Sequence, residues 1–191
     1  MILSQLSRPF AYLAISHPEK RWVDFILPSV LAVLGTGVTW YLNGKVNFFG
    51  AGGVVASILG FVQNLPGFYI AALAAIATFG RADIDQEMPG DPPPMLKTRT
   101  VNGVANNMRL TRRRFLCLLF AFLTVECVVL TLFSIGLNSL APAMQEARNE
   151  VWFTGARLAA TFVYWFLVAQ MLIATLWGIY YLGERIHLSD S

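Results

Sequence analysis

Residues 46–80, VNFFGAGGVVASILGFVQNLPGFYIAALAAIATFG, run from Lys45 to Arg81 without one charged side chain. As a continuous helix the stretch would be about 52 Å long at ~1.5 Å per residue, whereas the hydrocarbon core of a bilayer is about 30 Å thick. It is too long for one straight crossing and slightly short for two. Which of these it makes sets the parity of the whole chain. Val46–Gly53 is rich in glycine and aromatic side chains and reads as an outer loop. The remainder contains Gln63-Asn64-Leu65-Pro66-Gly67, where proline removes a backbone hydrogen bond and kinks or breaks a helix. The reading is one long, kinked span, with a re-entrant half-helix as the alternative.

The rest of the chain agrees with a lipid environment. Of 191 residues, 56% are hydrophobic and 13% charged, against roughly 25% charged in ordinary soluble domains. Mean hydropathy is +0.57. Such a chain lacks the polar residues to cover a water-soluble core, which excludes the common soluble enzyme folds. Stretches of about 20 apolar residues, the length a crossing needs, lie at about 25–43, 54–79, 115–139 and 157–183. The predicted fold is all-α: residues 1–191 form one transmembrane domain, a four-helix bundle with a cytoplasmic loop between the second and third spans.

Orientation follows from the basic residues. Of the fourteen Lys and Arg, only Lys45, Arg148 and Arg157 fall on one side. The others lie in 1–24, 80–114 and 184–191, which the positive-inside rule places in the cytoplasm together with both termini. An even number of crossings then separates 1–24 from 80–114, in keeping with a single kinked second span. Trp22, Trp40, Tyr41, Trp152, Trp177, Tyr180 and Tyr181 fall where interfacial aromatics are expected. Before the first span, Leu3, Leu6, Phe10 and Leu13 recur at helical spacing with Arg8 among them. This is either an interfacial amphipathic helix or one packed on the protein's own inner face.

The middle loop has an acidic half, with Asp83, Asp85, Glu87 and Asp91, and prolines at 89 and 92–94 that favour extended chain. It then turns basic, ending in Arg109, Arg112, Arg113 and Arg114 before the third span. Such a cluster suits anionic lipid head groups, an acidic soluble partner, or simple anchoring of topology. No nucleic-acid module accompanies it, so direct nucleic-acid binding is not expected.

Inside the spans, Glu126 stands in the third, Gln63 and Asn64 in the second, and Gln170 in the fourth. A carboxyl group at mid-membrane should face the bundle interior, find a partner or carry a proton. The three amides are its candidate partners, within one protomer or between protomers. Glu126 lies about 120° from the side shared by Thr124, Cys127, Thr131, Ser134 and Asn138. It therefore continues no polar stripe that would line a wide pore. Gly60, Gly67, Ala71 and Ala75 belong to small-residue runs along the second span that let helices approach closely, at the bundle centre or between subunits. No HExxH, GxSxG or P-loop pattern occurs, and no coordinating cluster of histidines and carboxylates. The expectation is a non-enzyme with no catalytic residue, no metal and no cofactor.

The size, the four spans, the inside termini and the entry Arg109-Leu-Thr-Arg-Arg-Arg-Phe-Leu116 into the third span resemble the KwaA family, membrane subunits of the Kiwa bacterial anti-phage system. The resemblance covers the whole chain in architecture. It implies a bacterial inner-membrane oligomer, a tetramer, that senses phage attachment or membrane disturbance. On its cytoplasmic side it implies KwaB, a soluble DNA-binding effector. Two other classes stay open: a small ion channel or proton-coupled transporter using Glu126, and a holin-like lytic pore.

Overall fold

The computed structural model describes residues 5–42, 45–78, 80, 82–88, 93–99, 105–146 and 151–185. Among the described residues, four helical stretches are long and apolar enough to cross a membrane: Glu19–Tyr41, Val54–Thr78, Arg112–Pro142 and Trp152–Gly183. The first consists of a short turn of helix, a π-turn at Trp22–Ile26, and helix α1, Leu27–Tyr41. The second consists of α2, Val54–Val62, and α3, Leu65–Thr78, separated by a turn at Gln63-Asn64. The third and fourth are α4, Arg112–Glu146, and α5, Val151–Tyr180.

Stretch 46–80 thus holds one broken helical run, Val54–Thr78, long enough to cross. Both α2 and α3 lie along α4 rather than folding back on each other. The break comes just before Leu65-Pro66, where the proline ring cannot accept a helical neighbour four residues back. Ahead of α2, Gly50 has φ +92°, a conformation that side chains rarely allow, and its N–H donates to Asn138 Oδ1 at 3.1 Å. This hooks the 45–53 loop onto α4.

Helices α4 and α5 pack against each other at the centre, α1 flanks α5, and α2 and α3 flank α4. The arrangement is a layer ordered α1–α5–α4–α3. Half of the apolar window in α4 is buried, but only 17% of that in each flanking span. The outward faces stay apolar, with Val30, Val33, Leu34, Phe61, Phe68, Leu132 and Leu176 exposed. Such a surface suits hydrocarbon rather than water.

The α1–α5 contact depends on a missing side chain. A Cβ on Gly35 would sit 2.7 Å from Trp165 Cγ and Cδ2, so the indole lies directly on the backbone. Trp165 Nε1 then donates to Thr39 Oγ1 at 3.0 Å. Gly35→Ala is expected to cost about 1–3 kcal/mol through overpacking, read by thermal unfolding in detergent. Gly37→Ala, where a Cβ meets nothing within 4 Å, is the control.

The all-α expectation needs correction at one end of the helices. Strand β1, Ile15–Ser16, pairs with β2, Met95–Arg99, which pairs with β3, Ala105–Arg109, all antiparallel. Buried Ile15 lies opposite buried Leu96. Tyr12, Ile15, Met88, Leu96 and Leu110 share one core with Phe115 and Leu116 of α4. The N-terminal segment and the middle loop therefore form a small cap continuous with the helical core. Of the prolines predicted to stiffen this loop, 89 and 92 lie outside the described residues, while the Pro94 carbonyl accepts from Leu110 N–H at 3.3 Å. Leu3 of the proposed amphipathic helix also lies outside them. Leu6 and Phe10 are exposed, and the described chain there is a 3-10 turn, Arg8–Tyr12, packed on α4.

Candidate functional site

A cluster of buried polar side chains sits where the N-terminal segment meets α4 and α5. Lys20 and Asp24, one helical turn apart, are 2% and 1% exposed and form an ion pair. Tyr12, fully buried, donates its hydroxyl to Asp24 Oδ1 at 2.9 Å. Its ring stacks on Phe122 at 5.1 Å between centroids, and the Lys20 ammonium lies 3.9 Å from the ring centre. Gln170 Nε2 of α5 donates to the Asp24 main-chain oxygen at 2.7 Å. That oxygen lies inside the π-turn, a feature that recurs at functional positions in helices. Burial, first, and then the Asp24 and Glu126 carboxyl groups push the Tyr12 hydroxyl up from its ordinary range, so it acts as a donor.

Glu126 is 4% exposed on α4, and neither of its carboxyl oxygens has a hydrogen-bond partner. Its candidate amides are engaged elsewhere. Gln170 serves Asp24, and Asn64 Nδ2 donates to its own Gly60 carbonyl at 2.9 Å. Gln63 and Asn64 are both exposed on the flank of the bundle, so none of the three candidate amides serves Glu126. Gly60, Gly67, Ala71 and Ala75 are also exposed, and a Cβ on either glycine would meet nothing within 4 Å. They do not pack the centre of the bundle. The helix that fills the centre is α4.

The four arginines are largely used inside the cap. Arg113 grips Asp85 through Nε and Nη2 at 2.7 and 3.0 Å. Its Nη1 donates to the carbonyls of Ile76 and Ala77 at 2.9 and 3.2 Å, which closes the C-terminal end of α3. Arg109 pairs with Glu87 at 3.0 Å, Arg112 is buried, and Arg114 Nη1 lies on Met108 Sδ at 2.6 Å. Arg112, Arg113 and Arg114 are the first turn of α4 rather than part of the loop. Cations at a helix N-terminus oppose the dipole, and the Asp85 carboxylate offsets this. Asp85 and Glu87 of the acidic half thus pair with Arg113 and Arg109 of the basic half, and of the four arginines Arg109 is exposed while Arg113 and Arg114 are half-buried.

The Arg113 guanidinium, first by hydrogen bonding, holds the exposed Asp85 carboxyl below the usual carboxylate range. A depressed acid contributes stability above its unfolded pKa of about 3.9 and loses it as pH falls through the lower folded value. Protease cleavage within 80–111 is therefore expected to accelerate only below about pH 4, whereas Asp85→Asn should cleave faster at neutral pH as well. The effect is modest, because the pair is solvated.

Sequence reading passed over Tyr12, Lys20 and Asp24. In the sequence Lys20 is one of the basic residues of 1–24, and Asp24 is the last residue of that segment before the first apolar stretch. The available signal was their i, i+4 spacing directly ahead of an apolar run, which puts opposite charges on one helical face. Among the described residues no group of three His, Cys, Asp or Glu is placed to hold a metal. No family model, curated protein or solved structure matches this chain.

Proposed function

We propose that the chain is a non-enzymatic sensor and scaffold subunit of the bacterial inner membrane, of the KwaA kind, which oligomerises in the bilayer and docks a soluble cytoplasmic effector such as KwaB. The observation that carries this reading is the cap. A packed, three-stranded platform joins the N-terminal segment to the loop between the second and third spans and shares its core with α4. A change in how the helices pack therefore reaches the face where a partner would sit. A membrane sensor needs such a link, since a stimulus can act only through two packings that it favours unequally.

The apolar outer faces support a lipid setting, and the excess of Lys and Arg in 1–24, 80–114 and 184–191 supports a cytoplasmic cap and cytoplasmic termini. A second copy meets the α2–α3 flank, where Gly60, Gly67, Ala71 and Ala75 leave room for a close helix and where Gln63 and Asn64 offer amides to their counterparts. The partner docks beside Arg109, which is exposed, and Arg114, which is half-buried. A channel reading has less support, because Glu126 is closed in by its neighbours.

The test has two arms. A single cysteine at Pro93 should label from the cytoplasmic side of intact cells, and labelling from outside would overturn the orientation. In cross-linked membranes, a soluble protein held by the wild type should be lost from R109E/R114E, with Arg113 left in place to keep the cap folded. Retention would reject this docking surface.

A further inference from the structure

Four charged side chains among the described residues are buried: Lys20, Asp24, Arg112 and Glu126. Arg112 is fourteen positions from Glu126 on the same helix, about 21 Å along its axis at ~1.5 Å per residue, too far to serve it. Lys20 is already joined to Asp24. The interior around Glu126 therefore holds two carboxyl groups and one cation. The charged group acting on Glu126 is Asp24, of the same sign. The other titratable groups that face it are Tyr12 of the N-terminal segment, Tyr69 of α3 and Cys127 of α4, none of which supplies a positive charge. Tyr181 of the turn after α5 acts on Tyr12. Both Glu126 oxygens stand without a hydrogen bond, and the residue is 4% exposed.

We propose that Glu126 is a proton-binding site, loaded in the folded chain, whose unloading loosens the N-terminal segment from α4. The missing positive charge is the ligand. With the proton in place the cluster is electrically balanced: Lys20 neutralises Asp24, and Tyr12 donates to Asp24 alone. When the carboxyl O–H bond breaks and the proton passes to solvent, two carboxylates compete for one ammonium and one phenol. Both of these donors come from residues 12–20, the segment that carries β1 to the cap. A proton held at Glu126 thus controls how firmly the cap is tied to the helices. This proposal is independent of any partner and of the orientation in the membrane.

The experiment uses the full chain in detergent micelles and compares wild type with Glu126→Gln, a permanent uncharged copy of the loaded state. At pH 8 the wild type must hold a proton against the solution or bury a bare charge, and both cost stability. E126Q should therefore melt several degrees higher than wild type at pH 8, with the gap closing toward pH 5. Cleavage of the N-terminal segment by protease should speed up from pH 5 to pH 8 in wild type and stay level in E126Q. E126Q melting lower at pH 8, or a gap that ignores pH, overturns the proposal. So does a wild-type melting point at pH 8 that rises with sodium chloride but not with choline chloride, which would make the ligand a metal cation. Should E126Q fail to fold, the infrared carbonyl band of a buried protonated carboxyl in the wild type at pH 6 decides. Its presence supports the proposal and its absence rejects it.

Discussion

Lys20→Met is expected to destabilise the protein by about 3–5 kcal/mol, among the largest effects of any single substitution. The reason is not the loss of an attraction but what is left behind. Asp24 is 1% exposed and would keep only the Tyr12 hydroxyl and the apolar wall around it. An ionised carboxylate with no counter-charge in a dry interior is far more costly than the pair is favourable. The double variant K20M/D24L should recover most of the loss, since apolar residues of similar volume often replace a buried ion pair without penalty. Thermal unfolding of wild type, K20M, D24L and K20M/D24L in one detergent gives the coupling directly. If K20M alone melts like wild type, Asp24 is not enclosed as described, and the cluster has access to water.

Tyr12→Ala is expected to cost about 3–5 kcal/mol, in the range for truncating a fully buried aromatic residue. The ring packs between Phe115 and Phe122, with centroid distances of 6.1 and 5.1 Å, so its removal leaves a cavity against α4. The hydroxyl adds a second loss, because Asp24 Oδ1 loses its donor. Tyr12→Phe isolates that part and should cost about 1–3 kcal/mol, the range for leaving a buried acceptor unsatisfied. The two variants also differ in where damage appears. Y12A should expose the N-terminal segment to protease and release β1 from β2, whereas Y12F should leave cleavage near the wild-type rate. Equal cleavage of Y12A and wild type would mean that β1 alone ties this segment down. Because Tyr12 and Lys20 share Asp24, Y12A and K20M should not add.

The proton at Glu126 and the Lys20–Asp24 pair are parts of one charge balance, which makes the N-terminal segment more than a leader into the first span. It enters the helical layer through Tyr12, returns through β1 to the loop, and passes Lys20 and Asp24 before α1 begins. A stimulus that shifts α1 against α4 would act on these contacts first. In a sensor, that is where the two packings would differ most.

The sequence by itself determined that four helices are long and apolar enough to cross a membrane, and where the second breaks, whereas α4 and α5 begin ahead of the expected 115 and 157. Hydropathy and proline geometry are local properties, readable over twenty residues without knowing what lies beside them. Tertiary structure alone decided which polar residues lie inside. Lys20 and Asp24 look like ordinary boundary charges until Tyr12 and Gln170 close over them, and Gln170 is 146 positions from Asp24. The arginine cluster looks like an open basic surface until Asp85 and Glu87 fold back onto it. The amides at 63 and 64 and the small residues from 60 to 75 were visible as polar and small, but not as facing outward. Burying a charge is favourable only when distant segments supply its partner, and the choice of partner belongs to the packing of α4 against everything around it.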